Sequence, residues 1–149
     1  MKLEFSGAPI ITASRQEVWA RLLDPNFVAA SAPGVESVET VDPTHFKVIS
    51  GLGVGAVKLK FKLDVELFDV VEGQALKMRA RGKAPGSAVD VVSGLRLEDA
   101  GGGNTRLNWS ATSDVSGTVA SVGARLLEGT ARMLTEQFWT DFAARVSKG

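Results

Sequence analysis

The sequence contains no cysteine and no tyrosine, and its only histidine is His45. Without cysteine there can be no disulfide bond, no thiolate nucleophile and no cysteine-based metal site. A single histidine excludes a zinc site built from several imidazoles and leaves only His45 for a Ser-His-Asp triad. His45 follows the turn residues Asp42-Pro43-Thr44, far in sequence from a paired acid. Composition and spacing therefore predict no metal site and no catalytic residue.

The sequence also has no excess of positive or negative charge, because 17 Lys and Arg residues balance 17 Asp and Glu residues. A dedicated nucleic-acid-binding protein is normally basic, so we expect no nucleic-acid partner. Uncharged runs such as Val48–Val57 are much shorter than the roughly 20 residues of a membrane span. The first residues, Met1–Ser14, lack the apolar core of a signal peptide. These features, with the absence of cysteine, predict a cytoplasmic protein that can still touch a membrane surface.

The chain is long enough for a core, with 149 residues of which 44% are hydrophobic. That length is usual for one domain, and we expect residues 1–149 to form a single unit. A first strand is predicted over residues 2–12. Ser14 and Glu17 have the S-x-x-E spacing of a capping box, which predicts a helix directly after that strand. A second short helix is predicted from Pro25 to Ser31, because proline is favoured at the first helical position.

The middle of the chain alternates between apolar and polar residues, as antiparallel strands do when one face is dry. The alternation is clearest from Val57 to Leu67, where odd positions are apolar and even positions are charged. If the following hairpin centres on Val71-Glu72, Glu66 lies opposite Lys77. The same register places Asp64 opposite Arg79 and Lys62 opposite Arg81. Further strands are predicted at Val35–Val41, His45–Ser50, Leu76–Arg81, Ala88–Glu98 and Thr105–Thr112.

The C-terminal part changes to helical periodicity, with apolar residues at steps of three and four from Val119 to Val146. This pattern predicts one amphipathic helix of about 28 residues that includes Gly123 and Gly129. The predicted fold class is therefore α+β. A curved antiparallel sheet of about seven strands surrounds a long C-terminal helix, and two short helices follow the first strand.

The stretch Ser50–Val57 reads SGLGVGAV and raises the question of a phosphate-binding loop. Such a loop connects a strand to the N-terminus of a helix, where free amides hold the anion. Here both neighbours are strand-like, so we interpret the stretch as a hairpin or a bulge. Leu52 and Val54 lie among the glycines, and a second interpretation is that this apolar tip gates a cavity or inserts into a lipid surface.

Several segments together resemble the CoxG family of carbon monoxide dehydrogenase proteins, within the START-like (SRPBCC) helix-grip superfamily. The resemblance covers essentially the whole chain, and its segments are specific in combination rather than alone. They are Ala13–Trp19, Leu22–Pro25, Ala32–Val38, Gly55–Lys58, Gly82–Gly86, Gly123–Leu126 and Gln137–Trp139.

The resemblance implies a deep apolar cavity between the sheet and the long helix. It also implies a non-catalytic accessory role beside a molybdenum-containing carbon monoxide dehydrogenase or a related hydroxylase. In that role the cavity holds an apolar small molecule, a quinone or a lipid, without a covalently bound cofactor, and the protein links the enzyme to the membrane. Some members carry a C-terminal apolar anchor, whereas this sequence ends at Lys148-Gly149. We therefore expect transient, peripheral contact at the inner face of the membrane.

Two alternatives remain open at this point. Some relatives of the fold are polyketide aromatases or cyclases, and a cavity containing His45 or an aspartate would favour such an enzyme. The other alternative is an interaction module whose core is completely filled.

If the cavity exists, inward-facing residues of the strands and the long helix line it. Small residues that would leave room are Ala80, Ala88, Ala111, Gly123 and Gly129. Trp109 has an N–H group that can donate to a ligand carbonyl or to the backbone. The predicted ligand-binding residues are Leu52, Val54, Phe61, Leu63, Met78, Ala80, Val89, Leu95, Trp109, Val122, Leu126 and Met133.

On the outer face, the predicted register collects basic residues near the glycine stretch. Such a cluster is an ordinary solvated face or a docking patch for anionic lipid or an acidic partner. The predicted membrane or partner contacts are Leu52, Lys58, Lys60, Lys62 and Arg81.

Overall fold

The computed structural model describes residues 1–147. The expectation of transient membrane contact depends on the residues Lys148 and Gly149. Both lie outside the described residues. Most of the described chain forms one antiparallel sheet, in the order β1-β8-β7-β6-β5-β4-β3, with β2 pairing to β8 next to β1. The strands are β1 (Lys2–Gly7), β2 (Ile10–Ile11), β3 (Val35–Asp42), β4 (His45–Val54), β5 (Val57–Val71), β6 (Ala75–Ala84), β7 (Ser87–Gly101) and β8 (Asn104–Gly117).

The first predicted strand is divided into β1 and β2 because it contains Pro9, which has no N–H group for a ladder. The Pro9 carbonyl still accepts a hydrogen bond from the amide of Leu107, at 3.0 Å. Both pieces therefore stay on β8, and the sheet has one strand more than expected.

Two short helices follow β2, as predicted: α1 (Arg15–Leu22) and α2 (Pro25–Ser31). The Ser14 hydroxyl accepts from the amide of Glu17 at 3.2 Å, which is half of the predicted capping box. Asp24 caps α2, since its Oδ1 accepts from the amides of Asn26 and Phe27 at 3.1 and 3.3 Å. These caps fix where each helix begins.

The long C-terminal helix is shorter than predicted. Thr118–Val122 forms a 3-10 helix, and α3 (Ala124–Ser147) then runs for 24 residues. Gly123 lies between them with φ +100°, a conformation that cannot continue a helix. Gly123 is therefore a break before α3 rather than a residue within it, which corrects the prediction.

The glycine stretch joins two strands, as expected for a hairpin. Val54 ends β4, Val57 begins β5, and the two are directly opposite each other. The connecting turn is Gly55-Ala56, with Gly55 at φ +59°. A two-residue turn with glycine first matches the twist of antiparallel strands. No helix follows the stretch, so it is not a phosphate loop.

The predicted register between β5 and β6 is wrong by two residues. Glu66 lies opposite Arg79, not Lys77, and Asp64 lies opposite Arg81, not Arg79. The ladder is interrupted between Phe68 and Val71, where Asp69 adopts φ +48°. The hairpin does not centre on Val71-Glu72 as predicted, because Val71 lies opposite Ala75 across a turn at residues 72–74. The bulge then changes the pairing by one residue, since it inserts an extra residue on one strand only, and alternation in the sequence does not reveal it.

The sheet curves around α3, so that its concave face and the helices enclose the core. Odd-numbered residues of β5 point to this face, as the alternation predicts, and the charged even-numbered residues point outward. The core has two clusters. We call the part around Phe138, Trp139 and Phe142 the aromatic end, and the part around Val54, Phe61 and Leu127 the hairpin end.

Candidate functional site

Two apolar cavities lie between the concave face of the sheet and the helices. The first cavity, at the aromatic end, has a volume of about 340 Å³. The helices contribute its cover and one wall, and strands β3 to β7 contribute its floor. Its lining is Leu22, Leu23, Pro25, Val28, Ala29, Ala32, Val35, Val38, Phe46, Val48, Val65, Leu67, Leu76, Met78, Ser93, Gly94, Leu95, Phe138 and Trp139.

Aromatic rings form the rigid wall of the first cavity. The rings of Phe138 and Trp139 meet edge to face, with centroids 4.8 Å apart. Trp139 also stacks on Trp109 at 5.7 Å. Trp109 can approach so closely because residue 7 is glycine: a Cβ there would lie 2.7 Å from the Trp109 Nε1. Paired rings at these distances stabilise a fixed surface against which a flat apolar molecule can pack.

The second cavity, at the hairpin end, has a volume of about 300 Å³. It lies under the first half of α3. Its lining is Leu3, Phe5, Ser50, Leu52, Val54, Phe61, Leu63, Val89, Val91, Ala111, Ser113, Val115, Val119, Leu127, Thr130, Ala131, Leu134 and Thr135. Neither this lining nor that of the first cavity contains a charged residue or the histidine.

Seven of the twelve predicted ligand-binding residues line one of the two cavities. Met78 and Leu95 line the first cavity. The second cavity takes the residues of β4, β5 and β7, namely Leu52, Val54, Phe61, Leu63 and Val89.

Two predicted residues on the concave face line neither cavity. Ala80 is buried on β6 between Val65 and Val91, which line the first and the second cavity respectively. Trp109 packs over Gly7 and behind Trp139, so it supports the wall of the first cavity from outside its lining.

Three predicted residues lie outside both cavities, which corrects the sequence-based assignment. Leu126 and Met133 are 45% and 51% exposed. They line an open groove on the outer side of α3 together with Val122. The helical period explains the error. Leu126 and Met133 are seven residues apart, and so are Leu127 and Leu134 on the neighbouring face of the helix. The face of Leu127 and Leu134 is the one that packs on the sheet.

The small residues have different roles from those expected. Ala111 lines the second cavity. Gly129 lines the outer groove, and a Cβ there would meet nothing within 4 Å. Ala88 lies opposite Lys83 on the outer face. Of the five small residues named from the sequence, Ala111 is the one that lines a cavity.

Sequence reasoning missed the wall of Phe138 and Trp139 and the β3 and β4 residues of the first cavity, and two further groups of lining residues. The first is the cover at α2, formed by Val28 and Ala29 of the helix and by its C-cap Ala32. The amphipathic spacing of this short helix was the available signal. The second group is the hydroxyl residues Ser50, Ser113 and Thr130 in the second cavity, whose inward orientation follows from the strand and helix periods.

The basic cluster on the outer face differs from the predicted one. Lys62 lies opposite Lys83, which the predicted register missed, and not opposite Arg81. The Arg81 Nε lies 3.8 Å from Asp90, and Lys60 pairs with Glu36 at 3.2 Å. Leu52 faces inward and lines the second cavity.

The remaining cations of this region are Lys58, Lys62 and Lys83, and no described residue forms an ion pair with them. We call these three lysines the basic patch. Lys58 lies opposite Gly53, between the two β4 residues Leu52 and Val54 that line the second cavity. The basic patch therefore covers the outside of the hairpin end.

His45 lies on the outer face, at the turn between β3 and β4, and is half exposed. Its Nδ1 is 2.9 Å from Asp42 Oδ1, and its Nε2 is 3.7 Å from Glu66. The hydrogen bond to Asp42 raises the pKa of His45 above its ordinary value. The amide of Thr44 and the His45 ring both donate to Asp42 and lower the pKa of that carboxyl. This cluster stabilises a turn and lies away from both cavities.

Residues 1–147 contain no cluster of histidine and acidic side chains that could hold a metal ion. Within the same residues, no helix is both long and apolar enough to cross a membrane.

Comparisons with solved structures identify the fold. A conserved protein from Geobacillus kaustophilus superposes with a TM-score of 0.90 at 25% identity, over 98% of this chain and 96% of that chain. An aromatase/cyclase from a Streptomyces species gives a TM-score of 0.74 at 13% identity, over 99% and 95% of the two chains. A START superfamily protein from Mycobacterium smegmatis gives 0.74 at 10% identity, over 97% of both. The predicted helix-grip fold is confirmed.

No curated protein sequence gives a significant match. The profile of the carbon monoxide dehydrogenase CoxG family, however, matches residues 7–147. A match over nearly the whole chain agrees with the resemblance seen in the sequence, and the chain belongs to the carbon monoxide dehydrogenase CoxG family.

Proposed function

We propose that this protein is a non-catalytic accessory protein of a carbon monoxide dehydrogenase-type molybdenum hydroxylase, and that it carries an apolar small molecule, a quinone or a lipid. The observation that carries the proposal is the pair of uncharged cavities between the sheet and the helices. Cavities of about 300 Å³ or more with mostly apolar walls are typical of small-molecule sites. The family supplies the partner enzyme.

The chemistry of the lining favours a carrier over an enzyme. A cyclase or hydrolase needs an acid or a base within hydrogen-bond reach of its substrate. No Asp, Glu, His, Lys or Arg lines either cavity among the described residues. The similarity to the aromatase/cyclase, at 13% identity, concerns the fold alone.

Membrane contact is the second part of the proposal, and the basic patch is its candidate site. Each lysine close to an anionic bilayer contributes about 1 kcal/mol of attraction. Lys58, Lys62 and Lys83 lack ion-pair partners in the described chain, so no protein anion competes with lipid phosphates. Their position beside the second cavity would bring a bound molecule close to the bilayer. We therefore propose a cytoplasmic protein with peripheral, transient contact at the inner face of the membrane.

Ligand binding is tested by organic extraction of the purified protein with mass spectrometry, together with titration of a short-chain menaquinone analogue. Trp139 lines the first cavity, so any part of a bound molecule that enters this cavity changes the Trp139 fluorescence. We expect a saturable one-to-one change that is largely lost in Trp139→Phe, whereas Trp19→Phe retains it. An empty extract together with a fluorescence change that does not saturate would contradict the carrier function.

Membrane contact is tested by co-sedimentation with phosphatidylcholine vesicles that do or do not contain phosphatidylserine. The double variant Lys62→Gln/Lys83→Gln should bind the anionic vesicles about tenfold or more weakly, since two lysines are lost. Lys77→Gln is the matched control, because Lys77 pairs with Asp69 at 3.3 Å on another part of the sheet. Equal losses in both variants, or equal binding to neutral vesicles, would argue against a specific lipid-facing patch.

Association with the enzyme is tested separately, by co-elution with purified carbon monoxide dehydrogenase holoenzyme in size-exclusion chromatography. We expect a complex with wild-type protein. If Lys62→Gln/Lys83→Gln abolishes this complex and leaves vesicle binding unchanged, the basic patch serves the partner enzyme instead of the membrane.

A further inference from the structure

The two cavities differ in their hydrogen-bonding capacity. The first cavity has one hydroxyl, that of Ser93, and it already donates to the Ser110 carbonyl at 3.0 Å. Its other side-chain donor is the indole N–H of Trp139, which bonds to no residue in the described part of the chain. The second cavity has four hydroxyl residues. Thr135 donates to the Ala131 carbonyl at 2.7 Å. The hydroxyls of Ser50, Ser113 and Thr130 bond to no residue in the described part of the chain.

Three half-buried hydroxyls without protein partners thus lie in a wall that is otherwise apolar. None of the three oxygens is fully buried, so water reaches them, and a ligand that displaces this water without replacing its hydrogen bond loses about 1–3 kcal/mol for each hydroxyl. Ser113 lies on β8, opposite Val91 and Leu3, and Thr130 lies on α3, so the two approach the cavity from opposite walls. Thr130 also lines the outer groove, which places this polar spot toward the surface of the hairpin end.

The two cavities are close enough for one elongated molecule. Leu63 lines the second cavity and Val65 the first, and they are two residues apart on β5, a distance of about 7 Å. The buried residue between the cavities, Ala80, has the smallest side chain that a chiral residue can have. The floor is thus continuous and apolar from one cavity to the other.

We infer that the second cavity receives the polar end of an uncharged, elongated ligand, whose carbonyl accepts hydrogen bonds from Ser113 and Thr130, and that the first cavity receives its apolar remainder. The inference rests on the proposed function and specifies the class of its ligand. Hydroxyls satisfy a carbonyl, but they cannot neutralise a carboxylate, and no cation lines either cavity. The site therefore selects a quinone or a neutral ester over a free fatty acid.

The test compares three probes: a naphthoquinone with a short isoprenoid tail, a naphthalene carrying the same tail, and palmitate. Binding is measured by tryptophan fluorescence and by calorimetry. Wild-type protein should bind the naphthoquinone most tightly and palmitate at least about tenfold more weakly. The double variant Ser113→Ala/Thr130→Val should lose about tenfold or more in affinity for the naphthoquinone and less than about twofold for the naphthalene.

Thr135→Val is the matched control, because its hydroxyl lies in the same cavity on the same helix but already has a partner. It should bind all three probes within about twofold of wild type. Circular dichroism melting shows whether each variant is folded, and the single variant Ser113→Ala replaces the double variant if the latter does not fold.

The outcomes separate the two proposals. Wild-type protein that binds none of the probes overturns the carrier function and this inference with it. Two results would overturn this inference alone, if wild-type protein does bind the probes. One is an affinity for the naphthoquinone that the hydroxyl variants do not change, and the other is tightest binding of palmitate.

Discussion

The aromatic end and the hairpin end are built on the same long strands but are held together differently. At the aromatic end, interlocking rings pack behind a cavity without a free hydroxyl group. At the hairpin end, glycines bring backbone segments close together around a cavity with three free hydroxyls. Alternation alone makes one face of a strand dry along its whole length. The size and polarity of individual side chains then decide whether that face becomes a rigid wall or a binding surface.

The outer face shows the same contrast. Lys47, Asp64, Arg81 and Asp90 lie side by side on four neighbouring strands, with alternating sign. One step toward the glycine turn, Lys62 and Lys83 face each other without an anion between them. A protein with no net charge thus has an unbalanced region, and that region lies outside the second cavity.

The largest expected effect breaks the aromatic end. Phe142 is fully buried and packs against Phe27, Phe138 and Trp139. Phe142→Ala should reduce the free energy of unfolding by about 3–5 kcal/mol, measured by urea denaturation. Met133→Ala, at a position that is 51% exposed, should change it by less than about 0.5 kcal/mol. A loss below about 1.5 kcal/mol for Phe142→Ala would show that the rings do not hold this end.

The second prediction addresses the hairpin end. Gly117 has φ +84°, and a Cβ there would collide with the carbonyl oxygen of Gly86. Gly117→Ala should therefore cost at least about 2 kcal/mol of unfolding free energy, from backbone strain and from the collision. Gly53→Ala is the control within the same region, because a Cβ at Gly53 meets nothing within 4 Å and its φ is not positive. If both variants were equally stable, close backbone approach would not be what organises this end.

The third prediction compares the two charge patterns. Lys83 faces Lys62, so Lys83→Gln removes a repulsion and should raise the unfolding free energy by a few tenths of a kcal/mol at low salt. Arg81 faces Asp64 and lies near Asp90, so Arg81→Gln should lower it by a similar amount. Both differences should shrink in about 1 M salt, where charges are screened. Changes of the same sign in the two variants would contradict the distinction between the patterns.

The smallest effect concerns His45, whose pKa is raised by Asp42. A group with a raised pKa stabilises the fold fully below its unfolded pKa, and this contribution disappears as pH rises through its folded pKa. NMR titration should give a His45 pKa above about 6.5, and Asp42→Asn should return it toward that value. Affinity for the naphthoquinone should not follow this titration, because His45 lies away from both cavities. Binding that changed with the ionisation of His45 would connect the turn to the site.

Much of the fold was predictable because it depends on local patterns. The alternation from Val57 to Leu67 predicts the central strand and its dry face, and the capping box at Ser14 and the proline at Pro25 predict two helix starts. The cavity residues on strands followed from the same parity. On α3 the periodicity left two candidate faces, and packing against the sheet selected the face of Leu127 over that of Leu126.

The sequence by itself determined the class of fold, the order of its elements, the dry face of each strand and membership in the family. The fold class, the order of elements and the dry faces follow from patterns among residues that are close in the chain, and family membership follows from sequence similarity over residues 7–147. Tertiary structure decided the rest: the bulge at Asp69 that pairs Lys62 with Lys83, the break at Gly123, and the division of one apolar face into two cavities. Each of these depends on contacts between residues distant in sequence, and a pattern along the chain does not specify which distant partners will meet.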